Sequence, residues 1–140
     1  MRIGSHVIKG WSVTQSVIAL SSGEAEYYGL VKGSSNAVGL RSISADMGID
    51  MSIKVKTDSS AAKGIASRSG LGKVRHIEIA QLWVQEKVRN GEITLVKVEG
   101  KENLADGLTK YVDKDGIEWH LVETGQSMVG GRHKLCPEVV

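Results

Sequence analysis

The sequence predicts an α/β fold in which helices flank a mixed sheet, and three observations support this. The segments follow one another as strand, long helix, strand, two shorter helices, strand and helix. Helices lie between the later strands, so those strands are expected to be parallel. With 140 residues, of which 41% are hydrophobic and 24% charged, the chain has the size and composition of a single globular domain.

The first half of the chain is predicted to form an extended segment followed by a long helix. Residues 6–20 end in an apolar run and are expected to be extended. Ser21 and Glu24 fit a capping box at a helix start, and Gly48 is expected to end the helix after about Met47. The predicted apolar stripe of this helix consists of Leu30, Ala37 and Leu40.

The second half is predicted to alternate between strands and shorter helices. The expected elements are a strand at 53–58, a helix at 60–67, a helix at 76–89, a strand at 92–99, a short helix at 102–110 and a helix from Asp113 to Gly125. Residues 126–140 show no clear period and are expected to form a poorly ordered tail. We therefore divide the chain into a domain at 1–112 and a C-terminal helix and tail at 113–140.

Composition excludes several classes of protein. The net charge of +2 is too balanced to indicate a nucleic-acid partner by itself, and no apolar run reaches the length of a membrane span. Cys136 is the one cysteine, which rules out an intramolecular disulfide and favours an intracellular location, cytoplasmic or nuclear. A structural zinc site is excluded, and neither GxxxxGK[ST] nor GxGxxG occurs.

Three acids have positions from which they could bind a metal ion. Glu26 projects in line with the predicted apolar stripe and is expected to face the sheet, whereas Glu24 is expected to stabilise the helix start through the helix dipole. Asp58 ends a strand and is either a helix cap or a ligand at the sheet edge. By periodicity alone, Asp106 is a solvated surface acid. For Glu26 the residues alone leave a structural and a functional role equally open.

A basic stretch lies between Asp58 and Glu78, where no acid occurs. It contains the four cations Lys63, Arg68, Lys73 and Arg75, with His76 beside them. These side chains could form a solvated face or hold phosphates on a glycine-containing loop. The sequence leaves both interpretations open.

Five short motifs occur in an order and spacing that resemble the ribonuclease H domain of copia-type long-terminal-repeat retrotransposon polyproteins. They are IALSSGEAEY at 18–27, VKTDSSAA at 55–62, RHIE at 75–78, NGEI at 90–93 and NLADGLTK at 103–110. The resemblance covers roughly residues 6–112.

The resemblance implies a ribonuclease H-like fold, a five-stranded mixed sheet flanked by helices. It also implies hydrolysis of the RNA strand of an RNA–DNA hybrid, which leaves a 3′-hydroxyl and a 5′-phosphate. In the family, four acids bind two Mg²⁺ ions, and Glu26, Asp58 and Asp106 match three of these catalytic metal ligands. Arg75 and His76 match a pair that we expect to contact the substrate.

One departure from the family pattern leaves more than one functional interpretation open. No acid precedes Glu24, so the family's first-strand Asp is absent, and the chain begins at the position of the third strand. The fold is therefore expected to lack the first two strands. The chain could be an enzyme completed by strands of the upstream reverse transcriptase segment. Alternatively it is a truncated, inactive remnant that at most binds nucleic acid through the basic stretch. An unrelated α/β ligand-binding module is a more distant third option.

Overall fold

A computed structural model describes residues 1–72, 77–127 and 130. The helices and strands are β1 (Arg2–Ile3), β2 (His6–Val7), α1 (Ser22–Asp46), β3 (Ile53–Thr57), α2 (Ser60–Ser67), α3 (Trp83–Arg89), β4 (Ile93–Lys97) and α4 (Lys114–Glu123). Three short 3₁₀ turns lie at Ile79–Gln81, Gly100–Glu102 and Leu104–Leu108. No helix in these residues has both the length and the apolar content needed to cross a membrane.

The chain divides into two compact units. Unit 1 comprises Met1 and Trp11–Asn103, and unit 2 comprises Arg2–Gly10 and Leu104–Val140. Unit 1 contains α1, β3, α2, α3 and β4, whereas unit 2 contains the β1–β2 hairpin and α4. The α/β class is consistent with this content, and the boundary expected after residue 112 stays a prediction.

The strands β3 and β4 form a parallel pair in unit 1, as expected for strands joined through helices. Their register runs from Ile53 opposite Ile93 to Thr57 opposite Lys97. Within the described residues, this sheet has two strands, and the other edge of β3 has no strand paired with it. The ladder therefore leaves a row of backbone groups on β3 available for another strand.

One face of the β3–β4 pair packs against α1, α2 and α3. Ile53, Thr57 and Ile93 are buried on this face, whereas Lys54 and Lys56 are exposed on the other. The core between the helices consists of Tyr27, Tyr28, Leu30, Val31, Ala62, Ile65, Ala66, Ile77 and Val84. Burial of this apolar surface, at about 25 cal/mol per Å², is the main force that holds the helices onto so small a sheet.

The long helix α1 begins at the predicted capping box. The Ser21 Oγ accepts a hydrogen bond from the Glu24 N–H at 3.3 Å, and Ser21 also donates its hydroxyl to the Glu24 carboxylate. The Glu24 carboxylate also accepts the Leu20 N–H at 2.9 Å. The helix ends at Asp46, and Gly48 follows with a φ of +74° that favours glycine. Both predicted ends are confirmed.

The prediction of an extended segment at residues 6–20 is mostly wrong. Only His6 and Val7 form a strand, and they pair with β1. Residues 8–21 are irregular, although Val17 and Ala19 pack against the core of unit 1. The apolar run at the end of this segment is therefore buried only in part, since Ile18 and Leu20 stay exposed.

The helix predicted at 76–89 is interrupted. The Tyr27 hydroxyl donates a 2.7 Å hydrogen bond to the Gln81 carbonyl, which a continuous helix would use for the Gln85 N–H. Gln85 instead donates to the Leu82 carbonyl at 2.9 Å, and the segment divides into a 3₁₀ turn and α3. The predicted start at His76 lies outside the described residues.

The elements predicted after β4 are confirmed in part. Residues 102–110 form 3₁₀ turns rather than one helix. The helix α4 starts where Asp113 caps it, since the Asp113 Oδ1 accepts the Gly116 N–H at 2.9 Å. Most of the predicted tail at 126–140 lies outside the described residues.

Gln85 is a buried polar side chain that joins α3 to the end of α2 and the loop after it. Its Nε2 donates to the Ile65 carbonyl at 2.9 Å and the Gly70 carbonyl at 3.0 Å, and its Oε1 accepts the Gly70 N–H at 2.9 Å. All the polar atoms of this side chain are satisfied, which is required for a polar group at 7% exposure.

Replacing Gln85 with Leu should lower the free energy of unfolding by about 2–3 kcal/mol, because the buried Ile65 carbonyl and the Gly70 backbone groups lose their hydrogen-bond partner. The matched control is Gln15→Leu, which removes one exposed bond to the Ala25 carbonyl. The control should change the free energy by less than about 0.5 kcal/mol. Urea denaturation measures both values, and equal losses would contradict the buried role of Gln85.

The carboxylate of Glu92 joins α1 to the turn between α3 and β4. Arg41 Nη2 lies 2.9 Å from its Oε2, and Lys87 Nζ lies 2.9 Å from its Oε1. Hydrogen bonds from Lys87 and Arg41 lower the pKa of Glu92 below its ordinary value of 4.5. The ion pairs therefore stabilise the fold above pH 4.5, and this contribution is lost as the pH falls through the lowered pKa.

Glu92→Gln should accordingly lower the melting temperature near neutral pH, and the difference from wild type should begin to shrink below pH 4.5 and disappear as the pH falls through the lowered pKa of Glu92. Thermal melts followed by circular dichroism from about pH 7 to about pH 3 measure this. Added salt should shrink the difference at neutral pH, since these side chains are partly exposed. A difference that stays constant with pH would contradict the proposed ion pairing.

Candidate functional site

The carboxyl ends of β3 and β4 form the edge of the sheet where a ligand is expected. Asp58 follows β3 directly, and Lys97 ends β4 opposite Thr57. Ligands of α/β proteins bind outside the carboxyl ends of parallel strands. Ser59 caps α2, since its Oγ accepts the Ala62 N–H at 3.1 Å, so Asp58 does not serve as the cap.

A shallow cavity of about 540 Å³, wide open to solvent, lies at this edge. It is lined by Asp58, Lys97, Val98, Glu99 and Gly100. Sequence reasoning missed Glu99 because the strand was expected to include it, whereas β4 ends at Lys97. The available signal was the position of Glu99, which follows β4 by two residues, next to the strand that Asp58 follows. The Glu99 carboxylate also lies 3.4 Å from the Lys101 Nζ at the exposed rim.

The starts of α1 and α2 meet at the same end of unit 1. A Cβ atom placed on Gly23 would lie 2.8 Å from the Cβ of Ala61, closer than two carbon atoms normally pack. Glycine at this position therefore allows the first turns of the two helices to touch. Asp58 precedes Ala61 by three residues and Glu26 follows Gly23 by three, so both acids lie at this end of unit 1.

The predicted direction of Glu26 is wrong. Glu26 is exposed, whereas Glu24 is only 3% exposed. The buried face of α1 is centred on Tyr27, Tyr28 and Val31, and of the predicted stripe only Leu30 is buried. The prediction counted only aliphatic residues and neglected the tyrosines. Their large rings bury more area than the aliphatic side chains do, so the tyrosine face of the helix packs inward.

The buried hydroxyl of Tyr27 keeps its proton. Burial raises the pKa of Tyr27 to about 12, and the hydroxyl donates to the Gln81 carbonyl. The orientation of α1 about its axis, which leaves Glu26 exposed, is therefore fixed by a specific hydrogen bond as well as by packing.

Asp106 lies in the 3₁₀ turn Leu104–Leu108 of unit 2. Its Oδ2 lies 2.8 Å from the Lys110 Nζ, and the Asp106 side chain is 26% exposed. It is therefore less exposed than the solvated acid that periodicity alone predicts. Glu26 and Asp58 belong to unit 1, and the convergence of all three acids stays a prediction.

Carboxylates could bind a hard cation such as Mg²⁺ at the cavity edge, where Asp58 and Glu99 supply oxygen atoms. Two-metal hydrolysis needs several carboxylates around the ions. Among residues 1–72 and 77–127, no three His, Cys, Asp or Glu side chains converge in this way. The described side chains do not complete a two-Mg²⁺ site, and Mg²⁺ binding stays a prediction.

The basic stretch is only partly described. Lys63 is half-buried on α2, and Arg68 folds back over the following loop, where its Nη2 donates to the Leu71 carbonyl at 2.5 Å. Lys73, Arg75 and His76 lie outside the described residues. The Arg68 guanidinium therefore orders its own loop in this conformation.

The two acids at the start of α1 should differ in their effect on stability. Glu24→Ala should lower the free energy of unfolding by about 1–2 kcal/mol because the Leu20 N–H and the Ser21 hydroxyl lose their acceptor. Glu26→Ala, the matched control, should change it by less than about 0.5 kcal/mol. Chemical denaturation measures both, and a larger loss for Glu26→Ala would show that the helix faces the other way in solution.

Comparison with known proteins finds a similarity between this chain and part of a Pol polyprotein. Over 109 residues, 76% of its length, the chain is 28% identical to the retrovirus-related Pol polyprotein from transposon TNT 1-94 of Nicotiana tabacum. The aligned part spans about 8% of that polyprotein. No family model and no solved structure matches. The similarity supports a relationship between this chain and one segment of a retrotransposon polyprotein.

Proposed function

We propose that this chain is the ribonuclease H segment of a retrotransposon polyprotein and acts on the RNA strand of RNA–DNA hybrids. The observation that carries the proposal is the position of Asp58 in a cavity at the carboxyl edge of a parallel strand pair. Glu26, which matches a second acid of the family pattern, lies at the same end of unit 1. The five motifs and the similarity to a Pol polyprotein support the same assignment.

The proposal requires a further carboxylate close to Asp58. The unpaired edge of β3 is the place from which a strand can supply one, because Asp58 directly follows that strand. A strand added there would continue the sheet and bring its own side chains to the cavity. The upstream reverse transcriptase segment of the polyprotein is the proposed source of this strand, and Mg²⁺ is the proposed cofactor.

A second candidate function is nucleic-acid binding without catalysis. The exposure of Glu26 favours it, since a carboxylate that faces solvent is poorly placed to hold a metal ion together with Asp58. In this case the chain would bind the phosphate backbone through its cations, and its affinity would fall as salt rises. The two candidates differ in whether the bound RNA strand is cleaved.

A hybrid-cleavage assay separates the two candidates. The chain, joined to its natural upstream segment, is incubated with Mg²⁺ and a labelled RNA–DNA hybrid, and the products are separated on a gel. We expect cleavage of the RNA strand, which Asp58→Asn should reduce at least about 100-fold by removing a metal ligand. Asp50→Asn, which neutralises an exposed acid between α1 and β3, should leave the rate unchanged.

Absence of cleavage with the upstream segment present would reject the enzyme and leave the binding function. Cleavage that survives Asp58→Asn would place the reaction elsewhere in the molecule. The isolated chain is expected to show little or no cleavage, since the carboxylate on the added strand is missing.

A further inference from the structure

We propose that Lys97 is a substrate-positioning residue, whose ammonium group holds a backbone phosphate of the nucleic acid beside Asp58. This inference rests on the proposed function, since it identifies how the same cavity would hold a phosphodiester. Lys97 is the last residue of β4 and lies opposite Thr57, one residue before Asp58. Neighbouring strands are about 4.8 Å apart, so a phosphate held by the Lys97 ammonium would lie close to Asp58.

Lys97 is the one cation among the described residues that line the cavity, beside the carboxylates of Asp58 and Glu99, so it is the lining group to which a phosphate would bind. In the part of the chain that the structure describes, Lys97 forms no ion pair with Asp58 or Glu99, although all three line the cavity. The neighbouring cation Lys101 pairs with Glu99 instead. Lys97 is therefore a cation of the cavity lining that neither cavity carboxylate pairs with, and it lies beside the acid that matches a catalytic acid of the family pattern.

Ser60 gives Lys97 a defined position and adds a second donor. The Lys97 Nζ donates a hydrogen bond to the Ser60 Oγ, at the first residue of α2. An ammonium has three N–H donors, so two remain, and the Ser60 hydroxyl keeps its own proton for donation. Because Ser59 is the cap of α2, Ser60 is not needed for that role. Lysine and serine side chains are common donors to nucleic-acid phosphates.

A binding experiment tests this role independently of hydrolysis. The affinity of the full chain for a short RNA–DNA hybrid is measured by fluorescence anisotropy at several salt concentrations, with EDTA and without divalent cations. Each phosphate contact adds about 0.9 to the slope of log affinity against log salt. Lys97→Ala should reduce the slope by about 0.9 and weaken binding roughly 5- to 10-fold at low salt, while Lys97→Arg should restore both.

Lys54→Ala is the matched control. Lys54 is an exposed lysine on β3, three residues before the last residue of that strand and about 10 Å from the edge. Its removal should leave the slope unchanged. Equal melting temperatures for the three variants and wild type would exclude a folding effect, as expected for exposed side chains.

Three outcomes would overturn the role of Lys97: no measurable binding of the hybrid, an unchanged slope for Lys97→Ala, or an equal change for Lys54→Ala. If the slope is unchanged while Asp58→Asn still abolishes cleavage, the inference fails and the proposed enzyme stands. If the slope falls as expected but no hybrid is cleaved, the phosphate contact stands and the proposed enzyme fails.

Discussion

The in-register pairing of β3 with β4 is the constraint on which the candidate site depends. It brings Asp58, Lys97 and Glu99, which are up to 41 positions apart in the sequence, to one edge of the sheet. A parallel pair of two strands is not stable alone, so this geometry requires the helices that cover its inner face. Tyr27, Val84 and Ile93 are essentially inaccessible to solvent, and they join helix to helix and helix to strand.

The rotation of α1 links this core to the chemistry of the site. The two tyrosines turn one face of the helix inward, and this choice buries Glu24 and exposes Glu26. A buried carboxylate must be hydrogen-bonded, and Glu24 meets that demand at the capping box. Glu26 lies outside the capping interactions, whereas Glu24 is needed to start the helix.

Local signals in the sequence predicted most of unit 1. The ends of α1, the strand at 53–57 and the start of α2 all depend on residues close in the chain, such as Ser21, Gly48 and Ser59. The errors arose where distant residues decide the structure. The break before α3 depends on a hydrogen bond from Tyr27, 54 positions away from Gln81, which no local pattern contains. The prediction for residues 6–20 failed for the same reason, because whether an extended segment joins a sheet depends on strands that are distant in the sequence.

For the site, the strand-end position of Asp58 was predictable, but the cavity was not. Glu99 and Lys97 lie at the site only because β4 ends at Lys97. The sequence pattern does not mark this end, because the alternation of residues continues into Glu99. The direction of Glu26 could not be found by counting aliphatic residues, because tyrosines contribute both buried area and a hydrogen bond.

The unpaired edge of β3 bears on the part of α1 that the tyrosines do not bury. The helix α1 packs on β3, and its face at Ala37 and Leu40 is only half-buried. A strand added at the β3 edge would extend the sheet beneath α1 and cover part of that half-buried face. It would also remove water from the region near Glu26, where a carboxylate interacts more strongly with a cation than it does in solvent.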